Sequence, residues 1–242
     1  MKIEGRNGVR EALVSGQKIE KIMLSSGSND KVLNEIVALA KEKRVKLLFL
    51  PNEALNKESV TKKHQGVIAF CDDFKYAELE DILNVAKDKN KPHFILILDG
   101  IEDPHNLGSI IRVCDCMGVD GIIIGKNRAC TVNETVVKSS AGASAYVKVA
   151  KVTNINQTIE KLKKENIWVY ACELGGSDLT KSDLTGNVAI VIGSEGFGVS
   201  ALTKKLCDGI VTIPMAGHVN SLNASVATGM VLYEAKKQRD SK

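Results

Sequence analysis

The 242-residue sequence predicts a two-part α/β protein, a small mixed unit leading into a larger domain built on a mainly parallel sheet. Three observations predict it. Short apolar runs alternate with helix-period segments along most of the chain, the pattern of strands separated by covering helices. The run FILILD (Phe94–Asp99) is apolar almost without interruption, as a strand buried on both faces must be. A polar stretch at residues 73–92, ending in the lysine-rich DILNVAKDKNKP, separates two regions of different rhythm.

Residues 1–72 read as a small α/β domain. Ile19–Leu24 is a strand. Asp30–Arg44 is a helix, because Val32, Leu33, Ile36, Val37, Leu39 and Ala40 recur at helical spacing and Asp30 can cap the start. Val45–Leu50 is a strand that ends at Pro51, and Val67–Cys71 is another. Residues 73–92 form a linker, or equally one connecting helix packed on the second domain. Residues 93–242 carry strands at Phe94–Asp99, Gly121–Ile124, Tyr146–Val149, Ile167–Cys172, Val188–Ile192 and Ile210–Ile213, with helices between most of them. Ligands of such sheets bind beyond the carboxyl ends of the strands, so the loops there carry the functional information.

Composition narrows the class. With 44% hydrophobic and 26% charged residues, the chain can bury a sizeable core without disulfide or metal staples. No run approaches the roughly 20 apolar residues that span a bilayer. The start MKIEGRNGVREAL has charges where a secretion signal needs an apolar block, so a cytoplasmic protein is expected. Six cysteines (Cys71, Cys114, Cys116, Cys130, Cys172 and Cys207) form no C-x-x-C pair, and four histidines are scattered; reduced thiols and no metal site are expected. Residues 1–75 hold 14 Lys and Arg against 10 Asp and Glu, whereas residues 76–242 hold 19 of each. The whole +4 excess lies in the first third, which favours a polyanion contact there, although a solvated surface accounts for so small an excess equally well.

Three loops carry chemistry. In the first, LDGIEDPHNLGSIIRVCDCMGV, Asp103-Pro104 makes a turn and Asn106 caps a helix whose Leu107, Ile110, Ile111 and Cys114 share one face. Arg112 falls on another face, either as a surface arginine or as a guanidinium suited to gripping phosphate. In the second, VAIVIGSEGFGVS, a buried strand runs into Gly193-Ser194-Glu195-Gly196-Phe197-Gly198. The G-x-x-G-x-G spacing is neither the dinucleotide fingerprint nor a phosphate-binding P-loop, which disfavours a nicotinamide dehydrogenase or nucleotide hydrolase. Glu195 is a helix-start carboxylate or a group lining a site. In the third, IPMAGHVNSLNASVATGMVLYEA, a strand ends at Pro214 and a polar turn with Asn220, Ser221 and Asn223 opens a helix rich in small residues. Leu222, Val226 and Met230 repeat at i+4 and are expected to face the core. Free N–H groups at the helix start favour polar or anionic ligands.

Taken together, the three loops closely resemble, in order and spacing, the three motifs of the SpoU (TrmH-type) RNA ribose 2′-O-methyltransferases, and the resemblance covers essentially the whole chain. EGRNGVREAL (Glu4–Leu13) and HQGVIAF (His64–Phe70) resemble the ribosomal-protein-like RNA-binding domain that precedes many members. NIWVYA (Asn166–Ala171) and VTIPMAGH are most similar to the RlmB-type enzymes, which methylate a guanosine ribose of 23S ribosomal RNA. The resemblance implies a SPOUT domain with a C-terminal trefoil knot, S-adenosylmethionine as cofactor, RNA as substrate and a homodimer. It implies cofactor contacts at Gly193, Ile213, Met215 and Leu222, and a polar catalytic surface of Asn106, Arg112, Glu195, Ser221 and Asn223. RNA contacts are expected at Arg6, Asn7, His64 and Gln65. A transfer RNA substrate, or an RNA-binding protein without catalysis, are the competing readings.

Overall fold

The computed structural model describes residues 1–27, 30–218 and 221–241. Contacts divide the chain into two compact units, Met1–Lys75 with Thr131–Tyr146, and Tyr76–Cys130 with Val147–Lys242.

The first unit has a four-stranded sheet in the order β1-β4-β2-β3, formed by β1 (Lys2–Glu4), β2 (Ile19–Ser25), β3 (Lys46–Leu50) and β4 (Val67–Cys71). β4 pairs antiparallel with β1 and β2, and β3 runs parallel to β2. Helix α1 (Arg6–Val14) buries Val9, Ala12 and Leu13, and α2 (Lys31–Glu42) buries Leu33, Ile36 and Ala40. Asp30 starts α2 as expected, its carboxylate accepting from the N–H groups of Val32 and Leu33. Helix α3 (Asn52–Glu58) places Leu55 against Met23 and Ile68. The segment 131–146 belongs to this unit and holds a helix at Glu134–Ser139 and a 3-10 turn at Ala143–Ala145. Lys138 of that helix lies 3.8 Å from the buried carboxylate of Glu4 and donates to the carbonyl of Lys63. Tyr146 therefore does not begin a strand.

The second unit is a six-stranded, wholly parallel sheet in the order β10-β8-β9-β5-β6-β7. Its strands are β5 (Phe94–Asp99), β6 (Gly121–Gly125), β7 (Val149–Val152), β8 (Trp168–Asp178), β9 (Val188–Gly193) and β10 (Gly209–Thr212). Residues 73–92 hold α4 (Leu79–Asp88), whose Leu79, Ile82 and Leu83 pack with Ile95, Ile97 and Ile123. Ile159 and Leu162 of α7 (Ile155–Lys164) join the same core. On the other face lie α5 (Pro104–Met117) and α9 (Ala224–Asp240), which pack on each other. Between α5 and α7 in the chain, the Glu134–Ser139 helix is α6, and Ala201–Leu206 is α8.

Two further details differ from the sequence reading. Helix α5 starts one turn early: Asp103 is its cap, with Pro104 at the first helical position, so Asn106 lies inside the helix with its side chain free for other work. α9 buries Ala224, Thr228, Val231, Leu232 and Ala235, whereas Val226 and Met230 are close to half exposed. Small residues let α9 approach its neighbours closely and so win the core face from the larger i+4 apolar set.

Candidate active site

The carboxyl ends of β5, β9 and β10 bring the three loops together. Asn106, 8% exposed, projects from the first turn of α5 and donates its amide to Glu195 Oε1 at 3.0 Å. Asn223 donates to Asn106 Oδ1 at 2.9 Å and also to Glu195 Oε1, which further accepts from the N–H of Ala224 at 3.3 Å. Glu195 is thus the shared acceptor of donors from two helices. The carbonyl oxygen of the Asn223 amide accepts from the N–H groups of Ser225 and Val226, so the same side chain caps α9.

A cleft of about 500 Å³ opens beside this cluster, a volume suited to a cofactor-sized molecule. The expected cofactor residues Gly193, Ile213, Met215 and Leu222 all line it, as do Glu195 and Ser221. Gly193 is required here, because a Cβ would stand 2.0 Å from the carbonyl carbon of Gly198 and 2.2 Å from the nitrogen of Val199. Ala224 and Ala227 keep the α9 wall low. Asn220 lies outside the described residues.

Glu173 and Cys172 also line the cleft, and the sequence reading passed over both. β8 continues past Cys172, and the β8–β10 register jumps from Ile210 opposite Ala171 to Val211 opposite Ser177. Residues 172–176 therefore bulge. Thr212 pins the bulge, its hydroxyl donating to the Glu173 carbonyl at 2.7 Å and accepting from Gly176 N–H at 2.8 Å. Gly176 fits only without a side chain, since a Cβ would lie 2.2 Å from the Ile210 carbonyl oxygen. The available signal was Gly175-Gly176 inside a strand pattern, which marks a bulge. Glu173 accepts from Val199 N–H at 3.0 Å and lies 3.8 Å from Lys204. Burial pushes the Cys172 thiol up to about 12, so it acts as an apolar wall.

A second cleft of about 610 Å³ flanks the Ser194–Gly198 loop, with Glu102, Asn106, Arg128, Glu195 and Phe197 among its lining. Arg112 is exposed two turns along α5 from Asn106 and lines neither cleft; among the described residues it has no ion-pair partner.

In the first unit two of the four expected RNA contacts, Arg6 and Gln65, bond to each other, with Asn7 next to Arg6 and His64 next to Gln65 in the chain. Arg6 donates to Asp30 at 2.8 Å and to the Gln65 carbonyl at 3.2 Å, and the Gln65 amide oxygen accepts from Arg6 N–H. His64 is buried, accepting from Gly66 N–H at Nδ1 and facing Asn56 Oδ1 at 3.0 Å through Nε2. Burial holds its pKa below the ordinary 6.5, against the pull of Glu4. His64 therefore organises the 64–66 loop, while Asn7 and Gln65 are exposed beside it.

Comparison with known proteins decides the family. The model of the SpoU rRNA Methylase family matches residues 93–233, and that of RNA 2′-O ribose methyltransferase substrate binding matches residues 2–77. The chain belongs to the SpoU rRNA methylase family. A Staphylococcus aureus (strain MSSA476) protein that carries the name TrmH family tRNA/rRNA methyltransferase is 43% identical over 238 residues, 98% of this chain and 96% of its own. A Bacillus subtilis (strain 168) protein of the same description, YacO, is 41% identical over 98% of this chain and 95% of its own. Among solved structures, the SpoU methyltransferase AviRb from Streptomyces viridochromogenes, determined in complex with AdoMet, superposes with a TM-score of 0.84 at 24% identity, covering 100% of this chain and 91% of that one. This SpoU family chain is thus an RNA methyltransferase with the family's substrate-binding domain in front. Among the described residues no helix is long and apolar enough to cross a membrane, and no group of His, Cys, Asp and Glu is arranged to hold a metal.

Proposed function

We propose that this protein transfers a methyl group from S-adenosylmethionine to a ribose 2′-hydroxyl, with a guanosine of 23S ribosomal RNA as the target. The observation that carries the reading is the Asn106–Glu195–Asn223 cluster at the mouth of the 500 Å³ cleft. The cleft fits the cofactor: backbone close to Gly193, apolar walls at Ile213 and Leu222, and carboxylates at Glu173 and Glu195 for a cationic, amine-bearing ligand.

When bound there, S-adenosylmethionine supplies an already activated methyl group. The protein then has to align the 2′-oxygen and help its proton leave. Asn106, Glu195 and Asn223 fix the wall between the clefts, and Ser221 offers a hydroxyl on the cofactor side. Arg112 offers the fixed fork of guanidinium N–H donors, so its role is to hold a neighbouring phosphate and stabilise charge developing on the 2′-oxygen. Its exposure leaves it open to a polyanion. Arg6, Asn7, His64 and Gln65 form or support the RNA-facing loop of the first unit. The exposed Val226, Met230 and Tyr233 follow one another at i, i+4 and i+7 on α9, which supports pairing with a second copy. The six free thiols suit a cytoplasmic setting, and a threaded C-terminal loop is part of the same reading.

The test is to map 2′-O-methyl sites in ribosomal and transfer RNA from cells with and without the gene. Loss of one 23S guanosine methylation is expected. Loss of a transfer RNA site instead would move the target, and no lost ribose methylation would sink the reading. A pH–rate profile with a side-chain ionisation abolished in Arg112→Lys would overturn the assigned role of Arg112.

A further inference from the structure

Phe197 is 96% exposed, and the next most exposed large apolar side chain among the described residues is Tyr233 at 61%. Such a ring is ordinarily driven into a core. Here it is held out on a tight loop. Ser194 and Gly198 exchange both backbone hydrogen bonds, at 3.2 and 2.9 Å, and Phe197 N–H donates to the Ser194 hydroxyl at 3.3 Å. The loop is fastened beyond that point as Val199 N–H donates to Glu173 and Ser200 N–H to Asp99, each at 3.0 Å. Gly198 has φ +64°, and a Cβ there would fall 2.2 Å from the Glu173 carboxylate. The ring is therefore presented by a fixed backbone between two glycines, with no side chain adjoining it in the chain.

Phe197 stands between the cofactor cleft and the second, 610 Å³ cleft. The second cleft is rich in acceptors. Three of its carboxylates are already engaged: Asp99 with Ser200 N–H, Asp103 with His105 N–H, and Glu195 with the asparagines. Glu102 is exposed and, among the described residues, accepts no hydrogen bond, and Arg128 is exposed in the same lining. Several carboxylates repel a phosphate but suit a neutral base with N–H donors. An unstacked base is held by stacking on an aromatic ring and by hydrogen bonds to its edge. Guanine offers two donor groups, N1–H and the 2-amino group, beside the acceptor O6. Glu102 and Arg128 supply the matching acceptor and donor.

We propose that the second cleft is the recognition site for the target base, a guanine, with Phe197 as its stacking platform and Glu102 as the acceptor that selects it. This rests on the proposed methyl transfer and adds the residues that choose the nucleotide. Each group acts on the substrate by position and takes no part in bond making.

The test compares the unaltered protein with Phe197→Ala, Phe197→Trp and Glu102→Ala. Methyl transfer is measured to ribosomal RNA from cells lacking the gene, and S-adenosylmethionine affinity by calorimetry. Saturation-transfer NMR with GMP, AMP, CMP and UMP, at saturating S-adenosylhomocysteine, reads the second cleft directly. Phe197→Ala is expected to lower kcat/KM for RNA roughly 5- to 100-fold, with cofactor affinity within about two-fold, and Phe197→Trp to retain most activity. GMP is expected to give the strongest signal, to lose it in Phe197→Ala, and to lose its lead over AMP in Glu102→Ala. The inference is overturned by full activity of Phe197→Ala, or by equal losses in the Ala and Trp variants. A parallel fall in cofactor affinity would make the ring a cofactor wall, and a change in oligomeric state would make it a subunit contact; either also overturns it. So does an AMP signal equal to that of GMP in the unaltered protein. If the unaltered protein methylates no RNA, the proposed reaction fails, while the nucleotide signals still judge the base site separately.

Discussion

The hydrogen bond between Asn106 and Glu195 lends itself to a double-mutant cycle. Glu195 Oε1 accepts hydrogen bonds from the amides of Asn106 and Asn223 and from Ala224 N–H. Removing the carboxylate in Glu195→Ala releases all three donors. Asn223 is exposed and can turn to water, but Asn106 is 8% exposed and cannot. A bond to a charged partner contributes about 1.5–3 kcal/mol, and a stranded buried donor costs about 1–3 kcal/mol. Glu195→Ala is therefore expected to cost about 2 kcal/mol, almost all of it through Asn106. Asn106→Ala removes the buried donor itself, leaves Glu195 two partners, and is expected to cost about 1 kcal/mol. In the double variant no donor is stranded, so its cost falls short of the sum by about 1–2 kcal/mol. The assay is urea unfolding followed by the fluorescence of Trp168, the single tryptophan, which lies on β8 of the second unit. Additivity within about 0.3 kcal/mol would refute the claim that this pair carries the wall between the clefts.

Three further outcomes are expected of the same fold. Arg239 donates to the carbonyls of Leu184, Gly186, Pro92 and His93 and lies 4.8 Å over the Phe94 ring; Arg239→Ala is expected to lose about 2–4 kcal/mol, and Arg239→Lys to recover less than half, in the same unfolding assay. Gly193→Ala drives a Cβ into the backbone of Gly198 and Val199, so calorimetry is expected to show S-adenosylmethionine affinity reduced at least about 100-fold, whereas normal affinity would contradict the cleft geometry. His64 has its folded pKa below 6.5, so the unfolded chain takes the proton first; its stabilising contribution is complete above the ordinary value and is lost as pH falls below it. The pH-dependent part of first-unit stability below about 6.5, read by amide exchange near Gly66, is expected to shrink in His64→Gln.

Much of this was legible because the second sheet is buried on both faces, so FILILD and VAIVIG announce their strands by apolar continuity alone. Asp30 as a cap was legible for an equally local reason, whereas Gly193, Ile213 and Leu222, which line one cleft, were marked by the family resemblance of the three loops. What escaped was set by distant parts of the chain. Tyr146 read as the start of a strand because its neighbours are apolar, yet residues 131–146 pack with the first unit: Tyr146 donates to Glu11 at 2.5 Å, and Gly142 fits against that same side chain. Val226 and Met230 carry an inward-facing pattern and point outward, because Ala224, Thr228 and Ala235 permit closer packing than they would. Gly175-Gly176 signals a bulge beside Glu173, but the place of Glu173 at the cleft follows from a β8–β10 register jump that one strand cannot reveal. Asn106 was read as a cap although the Asp103-Pro104 pair before it is the stronger start signal, and freeing its amide is what lets the site exist.

Asn223 ties helix and site together, and its two ends can be separated. Its oxygen caps α9 through Ser225 and Val226 N–H, while its nitrogen donates to Asn106 and Glu195. Asn223→Asp keeps a good capping oxygen at a helix N-terminus, where negative charge contributes about 0.3–1 kcal/mol. It also turns a donor into an anion facing the Glu195 carboxylate. Two carboxylates in hydrogen-bond contact do not both stay ionised without cost, so one apparent pKa of the pair rises. The sign follows: that folded pKa lies above the unfolded one, so any stabilisation from the shared proton is present at low pH and is lost as pH rises through it. Asn223→Asp is therefore expected to bind S-adenosylmethionine weakly at pH 8 and to regain affinity toward pH 5.5, whereas Asn223→Ser, a cap without the anion, is expected to be weak and pH-independent over that range. Calorimetry across pH distinguishes them. An Asn223→Asp variant that binds with full affinity at pH 8 would mean that the nitrogen end of this side chain does nothing for the site.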